Sequence, residues 1–387
     1  MVSTRRLVAI TGLTLLAAGA VAVGNIVRLG RPEAVRADNA AGDTACLSCH
    51  GDKASFEQTA HRLTSQLPAP GVMMGSFAPG QNVLRTANPA LHFRMDSTAT
   101  GFYETAVAGR GRDTTMHTER IDFVTGSRKG QSFLYWRGDD LFQHPVSFWT
   151  GIGWVNSPGY PDGQANFDRP IAPRCLECHA SGFESVAAPP SGVPVVNRYR
   201  RSGVLLGITC ETCHGAGREH VRRERSLLHA LLPPAIVNPT RLARARQLDG
   251  CALCHSGVAA FRTPAFAYVP GRPLGPRADW LTPPDTGAID VHGNQVALLE
   301  RSRCFRASQM TCATCHEVHR QQRDVAEFSG RCLGCHTPHG RDLAGRCVDC
   351  HMPALTSTTI LARSLGRDVR VQVRTHWIKV YPQFRGP

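Results

Sequence analysis

The sequence predicts a mainly α, loop-rich core with a small antiparallel β insertion, and three observations carry that expectation. A pentapeptide, Cys-x-x-Cys-His, occurs seven times, its two cysteines three positions apart on one local turn. Six of the seven copies fall within residues 175–351, about one per thirty residues, which leaves room for short helices and loops and little else. Between the first and second copies, residues 101–154 change period: short β-branched and aromatic runs are bounded by glycine-containing turns, the pattern of antiparallel strands.

The seven copies are Cys46/Cys49/His50, Cys175/Cys178/His179, Cys210/Cys213/His214, Cys251/Cys254/His255, Cys312/Cys315/His316, Cys332/Cys335/His336 and Cys347/Cys350/His351. Two thiols three positions apart on one turn can each form a thioether to a vinyl group of a single porphyrin, and the histidine that follows can bind the iron. Zinc knuckles, disulfides and redox dithiols also use Cys-x-x-Cys, but none of them requires histidine next. Histidine is 17 of 387 residues, so seven out of seven by chance has a probability on the order of 10⁻¹⁰. The expected cofactors are seven covalently bound haem c groups. The fifteenth cysteine, Cys304, has no second cysteine in spacing and reads as a small buried hydrophobe.

Hydrophobic residues make up 42% of the chain and aromatics only 7%, so porphyrin faces are expected to supply much of the apolar packing. The formal charge of +14 invites a nucleic-acid reading. Two propionates per haem would bring about −14, and many arginines suit bidentate pairing with them. No aromatic-basic interleaving supports nucleic-acid binding, and none is expected.

Arg5 and Arg6 precede an uncharged apolar stretch at residues 7–27, followed by Arg28 and Arg31. That is an export signal. The stretch, roughly 20 residues, is long enough to span a bilayer, while the small residues near Ala37 suit cleavage; anchor and cleaved signal peptide both stay open. Either way the expected location is periplasmic, soluble or anchored to the outer face of the cytoplasmic membrane, which would make the inner membrane a partner of the anchored form.

In chain order, residues 1–37 read as the signal peptide or anchor and 38–100 as the first haem-binding segment. There a plausible helix over 55–61 carries His61, and the Pro- and Gly-rich stretch 68–89 reads as an extended loop. Residues 101–172 form the β-rich insertion, with strands at 102–107, 120–125 and 132–136; it suits a docking surface, a lid or a scaffold. Residues 173–353 form the six-haem core, with helices expected over 218–232, ended by Pro233 and Pro234, and over 295–307. The tail, 354–387, is basic and β-like and carries His376.

What fills the sixth position of each iron decides what the chain can do. Two histidines make a low-spin centre that shuttles electrons; an open position permits chemistry on a small molecule. Ten histidines lie outside the pentapeptides. His319 and His339 each follow a motif histidine by three residues, too close to bind the same iron but able to reach a neighbour's. His220 follows His214 by six, across small residues that permit close approach. His61, His117, His292 and His376 complete the candidate set, while His92, His144 and His229 read as structural and the methionines as packing residues.

Several segments resemble the multihaem c-type cytochromes related to the tetrahaem cytochrome of ammonia oxidisers, and more distantly hydroxylamine oxidoreductase and pentahaem nitrite reductase. They are Gly207-Ile-Thr-Cys210-Glu-Thr-Cys213-His214-Gly-Ala-Gly-Arg-Glu-His220-Val221, Met310-Thr-Cys312-Ala-Thr-Cys315-His316-Glu-Val-His319, Cys347-Val-Asp-Cys350-His351-Met-Pro353 and Thr375-His376-Trp-Ile378. The resemblance implies a mostly helical, loop-rich multihaem cytochrome core with closely stacked haem pairs. It also implies distal roles for His61, His220, His319 and His376, and for His292 ahead of Cys304. The chain lacks the Cys-x-x-Cys-Lys unit that marks the active haem of the nitrite reductases, and its tyrosines lie mainly outside the haem core. The expected function is therefore electron transfer between redox partner proteins through bis-histidine haems rather than catalysis. The alternative is a reductase or oxidase of a small nitrogen or sulfur compound at one five-coordinate haem.

Overall fold

Strand pairing, not helix, dominates the N-terminal half. The computed structural model describes residues 31–186, 196–227, 229–231, 234–257, 264–274, 293–339 and 341–384. One sheet holds β1 (Ser65–Gln66), β6 (Phe123–Thr125), β7 (Gly130–Arg137), β8 (Asp140–Trp149) and β10 (Arg169–Pro170) in that order, with β9 (Gly153–Asn156) also on β8. The other runs β2 (Val83–Arg85), β3 (Leu91–Thr98), β4 (Gly101–Ala108) and β5 (Thr115–Arg120). Every pairing in both sheets is antiparallel.

The two sheets face each other. On β3 the alternation puts Leu91, Phe93 and Met95 inward, where they meet Ala106 of β4 and Tyr135 and Val146 of the opposite sheet. Each such side chain, fully buried, stabilises the fold by about 1.5–3 kcal/mol. β7 is buried on both faces: its Leu134 points away from this core and packs with Phe123, Leu141, Leu176, Phe183 and Tyr199. That second cluster carries the sandwich onto the helical turn α2 (Pro173–Glu177), which holds Cys175.

The mainly α expectation is overturned, since helix and strand each account for 26% of the structure. The strands reach back into residues read as loop, and the helices are short. They are α1 (Asp43–Leu47), α2, α3 (Cys210–His214), α4 (Arg218–Glu224), α5 (Arg244–His255), α6 (Gln295–Glu300), α7 (Arg303–Arg306), α8 (Val325–Cys332) and α9 (Cys347–His351). The helix expected over 295–307 breaks at Ser302, whose hydroxyl turns to accept Ile378 N at 2.8 Å. The one expected over 218–232 stops at Glu224, with a 3₁₀ turn at His229–Leu231. The helix placed over 55–61 is a 3₁₀ stretch, Gly51–Gln58, that ends at Thr59, so His61 sits in a turn.

After the second unit, β11 (Ala180–Gly182) pairs with β12 (Leu205–Leu206). The C-terminal tail forms a hairpin of β13 (Ala354–Ser364) and β14 (Arg367–Arg374). Ala362 packs against Trp149 and Val155, and Gly366 N donates to Asp162 at 2.7 Å, so the tail bridges the sandwich and the last unit. Among the described residues no helix is long and apolar enough to cross a membrane; the apolar stretch at 7–27 lies outside them.

Candidate functional site

Each Cys-x-x-Cys-His unit closes into one turn. The backbone N–H of His50, His316 and His336 donates to the carbonyl of the first cysteine of its own unit at 2.9, 2.9 and 3.0 Å. The units at 210, 251 and 347 lie within α3, α5 and α9. The unit at 175 closes more tightly, with His179 N donating to Leu176 O at 2.8 Å. In all seven, the local turn brings two thiols and an imidazole together, and all fifteen cysteines are free of disulfides.

The thiols are not packed alike. Cys49, Cys175, Cys213 and Cys335 are exposed, whereas the other attachment cysteines are half-buried. α1 ends at Leu47 and α8 at Cys332, so the second thiols of these units, Cys49 and Cys335, fall beyond their helices. Cys49 Sγ lies 3.9 Å from Oγ of its neighbour Ser48. Cys335 has its backbone N–H tied to Cys332 O at 3.1 Å, which fixes the turn and leaves the side chain free. An exposed thiol is still within reach of a vinyl group, but protein packing does not hold these two in place as it does Cys178 or Cys254.

The histidines then meet in pairs. His255 faces His61 at 6.1 Å between ring centres, His214 faces His319 at 6.1 Å, His316 faces His376 at 6.3 Å and His351 faces His339 at 6.1 Å. Each pair joins one motif histidine to one outside the motifs. A metal ion roughly 2 Å from each of two opposed nitrogens, themselves about 1.1 Å from their ring centres, would separate the centres by about 6.2 Å. The observed spacing is that of two imidazoles sharing one metal, so the donor set fits a haem iron.

The outer nitrogens support the same arrangement. Nδ1 of His214 meets Val237 O at 2.8 Å, and Nδ1 of His351 meets Lys379 O at 3.0 Å. A carbonyl at Nδ1 fixes the proton there and leaves Nε2 as a lone-pair donor, the usual orientation of a metal-binding histidine. Burial lowers the pKa of His214, His255 and His316, which favours the neutral form that ligation requires. Burial, reinforced by His316 and His255, pushes His376 down to about 4. His61 keeps an exposed edge, yet the protein crowded around it, with His255 and His316, also pushes it down to about 4.

Other candidates fall differently. His220 on α4 lies 3.6 Å from Glu224 and within electrostatic reach of His50. His117 lies on β5, its ring 4.5 Å from Phe167 and its Nε2 3.1 Å from Glu119, and it meets no motif histidine. His292 lies outside the described residues. Among the described residues, no second imidazole faces His179, whose Nδ1 meets Thr64 Oγ1 at 3.0 Å, or His336. His144 is buried against Glu104 at 3.3 Å.

The seven units also lie near one another. The thiols of Cys46 and Cys210, of Cys178 and Cys254, and of Cys251 and Cys312 are neighbours. Cys213 lies within electrostatic reach of Cys251, and Cys332 within reach of both Cys315 and Cys347. The units therefore follow one series, 46, 210, 251, 312, 332 and 347, with the unit at 175 joined at 251.

Side chains that sequence reasoning passed over hold this series together. Arg174 donates to Leu253 O at 2.6 Å, tying the second unit to the fourth. Arg244 donates to Met310 O and Phe305 O, both at 2.9 Å, tying the fourth to the fifth. Arg374 on β14 donates to Val348 O and Met352 O at 2.7 and 2.8 Å. Ser55 donates to His319 O at 2.8 Å, bringing that histidine back to the first unit. The only sequence signal for these arginines was the general excess of basic residues.

Residues 161–215 match the family model described as Cytochrome c554 and c-prime. The match spans the units at 175 and 210. No curated protein and no solved structure matches the chain. The family match supports a c-type cytochrome, with haem c covalently bound and electron transfer as its role.

Proposed function

We propose that the chain is a seven-haem c-type cytochrome that passes electrons between redox partner proteins, working on the periplasmic side of the cytoplasmic membrane. The observation that carries this reading is the set of four histidine pairs, each spaced for one metal ion. Haem, when bound, supplies an iron that takes up and releases one electron. The fourteen motif cysteines hold the porphyrins as thioethers, each thiol adding its S–H across a vinyl double bond. The seven motif histidines would each bind an iron, and His61, His319, His339 and His376 would supply the second imidazole to four of them. His220 serves the unit at His50.

With haem bound, each pair would supply two imidazoles to one iron, which would leave no open site for a substrate and suits a carrier. Contact between successive units keeps each electron step short, and the cross-unit arginines hold that spacing. The export-like N-terminal stretch supports the periplasmic location, and the segments around His220, His319 and His376 support kinship with the tetrahaem cytochromes of ammonia oxidisers. A reductase or oxidase of a small nitrogen or sulfur compound is the second reading. His179 favours it, because among the described residues it meets Thr64 and no second imidazole.

Electron paramagnetic resonance of the oxidised holoprotein tests the proposal. At least four low-spin centres are expected. Fewer than four would overturn the carrier reading, and a single high-spin centre beside them would direct turnover assays to nitrite, hydroxylamine and tetrathionate.

A further inference from the structure

Two buried carboxylates are exchanged between the first and third units. Glu211, the residue after Cys210, is 1% exposed and reaches away from its own turn to the segment that begins α1. It accepts Ala41 N at 2.8 Å and Gly42 N at 3.0 Å, and also Gly217 N at 2.6 Å ahead of α4. Asp43, the first residue of α1, reaches the opposite way and accepts Cys210 N at 3.0 Å. Arg62 completes that end, its Nε 2.7 Å from Asp43. Each unit thus places a carboxylate on the backbone N–H groups at the start of the other's helix, where such groups lack partners within the helix.

The contact is tight. A Cβ at Gly217 would stand 3.0 Å from Glu211 Oε1 and 3.3 Å from Ala41 Cβ, so glycine keeps room for the carboxylate. Gly42, at φ 82°, takes the left-handed turn that aims its N–H at Glu211. Beside this contact the thiols of Cys46 and Cys210 are neighbours, and Cys46 Sγ lies 3.4 Å from Gly42 O. Asp43 has a cationic partner, whereas the bonds Glu211 makes among the described residues all come from backbone N–H groups.

We infer that Asp43 and Glu211 are positioning residues that lock the first and third haem units together, and that Glu211 also places a negative charge beside both irons. The inference rests on the multihaem reading. A buried carboxylate without a side-chain cation favours the more positive, oxidised state of a nearby centre. It therefore lowers the potentials of the two units it joins and leaves the distant units at 332 and 347 alone.

The test is spectropotentiometry of holoprotein carrying Glu211→Gln, which keeps the side-chain size and one acceptor oxygen but removes the charge. The expected result is a positive shift of two components of the redox curve with the others unchanged. Asp113→Asn, at an exposed carboxylate in the turn between β4 and β5 of the sandwich, serves as the control and is expected to shift nothing. Asp43→Asn gives the second reading of the clamp, and should weaken the paired-haem signal in Soret circular dichroism, even where Glu211→Gln fails to accumulate. Unchanged potentials in a fully loaded Glu211→Gln protein, or a uniform shift of every component, overturn the inference. Haem count by mass spectrometry of the wild type separates the two claims: fewer than seven haems defeats the seven-haem reading, while the clamp stands or falls on the two centres at Cys46 and Cys210.

Discussion

His376→Ala removes one side of one metal site and leaves the rest of the chain in place. In the wild type the His316 and His376 rings stand 6.3 Å apart and 19° from parallel, the spacing of two imidazoles on one metal. The flanking tail is held by other groups: Ile378 N donates to Ser302 Oγ at 2.8 Å, and Arg374 holds Val348 O at 2.7 Å. On the proposed ligation, the perturbation is therefore confined to the iron that His316 would bind, which would lose its second imidazole. With seven haems, the high-spin signal should integrate to about a seventh of the total iron and the low-spin signal should fall by the same amount. Added imidazole fits the space left by the ring and should restore the low-spin signal. The assay is electron paramagnetic resonance with spin quantitation, with and without imidazole. A spectrum identical to wild type would refute the pairing, and so would a high-spin signal that imidazole does not reverse.

Three further outcomes follow from the same geometry. Phe93→Ala empties the centre of the sandwich, where Phe93 is fully buried; it should cost about 3–5 kcal/mol in denaturant unfolding followed by circular dichroism, and a loss below about 1 kcal/mol would contradict the packing. Burial raises the carboxyl pKa of Glu104, so the unfolded chain gives up this proton first. Its contribution to stability is complete below the ordinary glutamate pKa of about 4.3 and falls as pH rises, by at most about 1.4 kcal/mol per unit. Glu104→Gln should flatten that slope in thermal unfolding from about pH 4 to about pH 7, and an unaltered slope counts against the assignment. Cys304→Ala should leave the haem mass of the purified protein unchanged, whereas loss of one haem would mean that the odd thiol takes part in attachment.

The attachment units were legible because their chemistry is local: two thiols and an imidazole within five residues must share a turn. How deeply each unit sits was not, since Cys49 and Cys335 lie outside helices whose ends the pentapeptide does not mark. The fold was less legible still. Leu91, Phe93 and Met95 alternate as a buried strand should, but they follow the Pro- and Gly-rich stretch 68–89, whose turn signals hid β2 and the start of the sandwich. Strong helix formers in 218–232 and 295–307 implied long helices, yet tertiary demands cut them short, as at Ser302. The histidine pairs could be nominated from spacing but not matched. His61 meets His255 because Ile208 N holds His61 O at 2.9 Å, a contact between segments far apart in sequence. Glu211 was invisible for a further reason: inside Cys-Glu-Thr-Cys-His it occupies a position the attachment chemistry leaves free, and only the fold brings the first unit's helix to it.

Anomalous diffraction at the iron absorption edge, from crystals of the holoprotein, tests the central claim most directly. The account predicts seven iron peaks, four of them midway between His61 and His255, His214 and His319, His316 and His376, and His339 and His351, arranged as one unbroken series with the Cys175 unit joined beside the Cys251 unit. No peak between any one of those pairs, or a gap that separates the series into isolated groups, would contradict it.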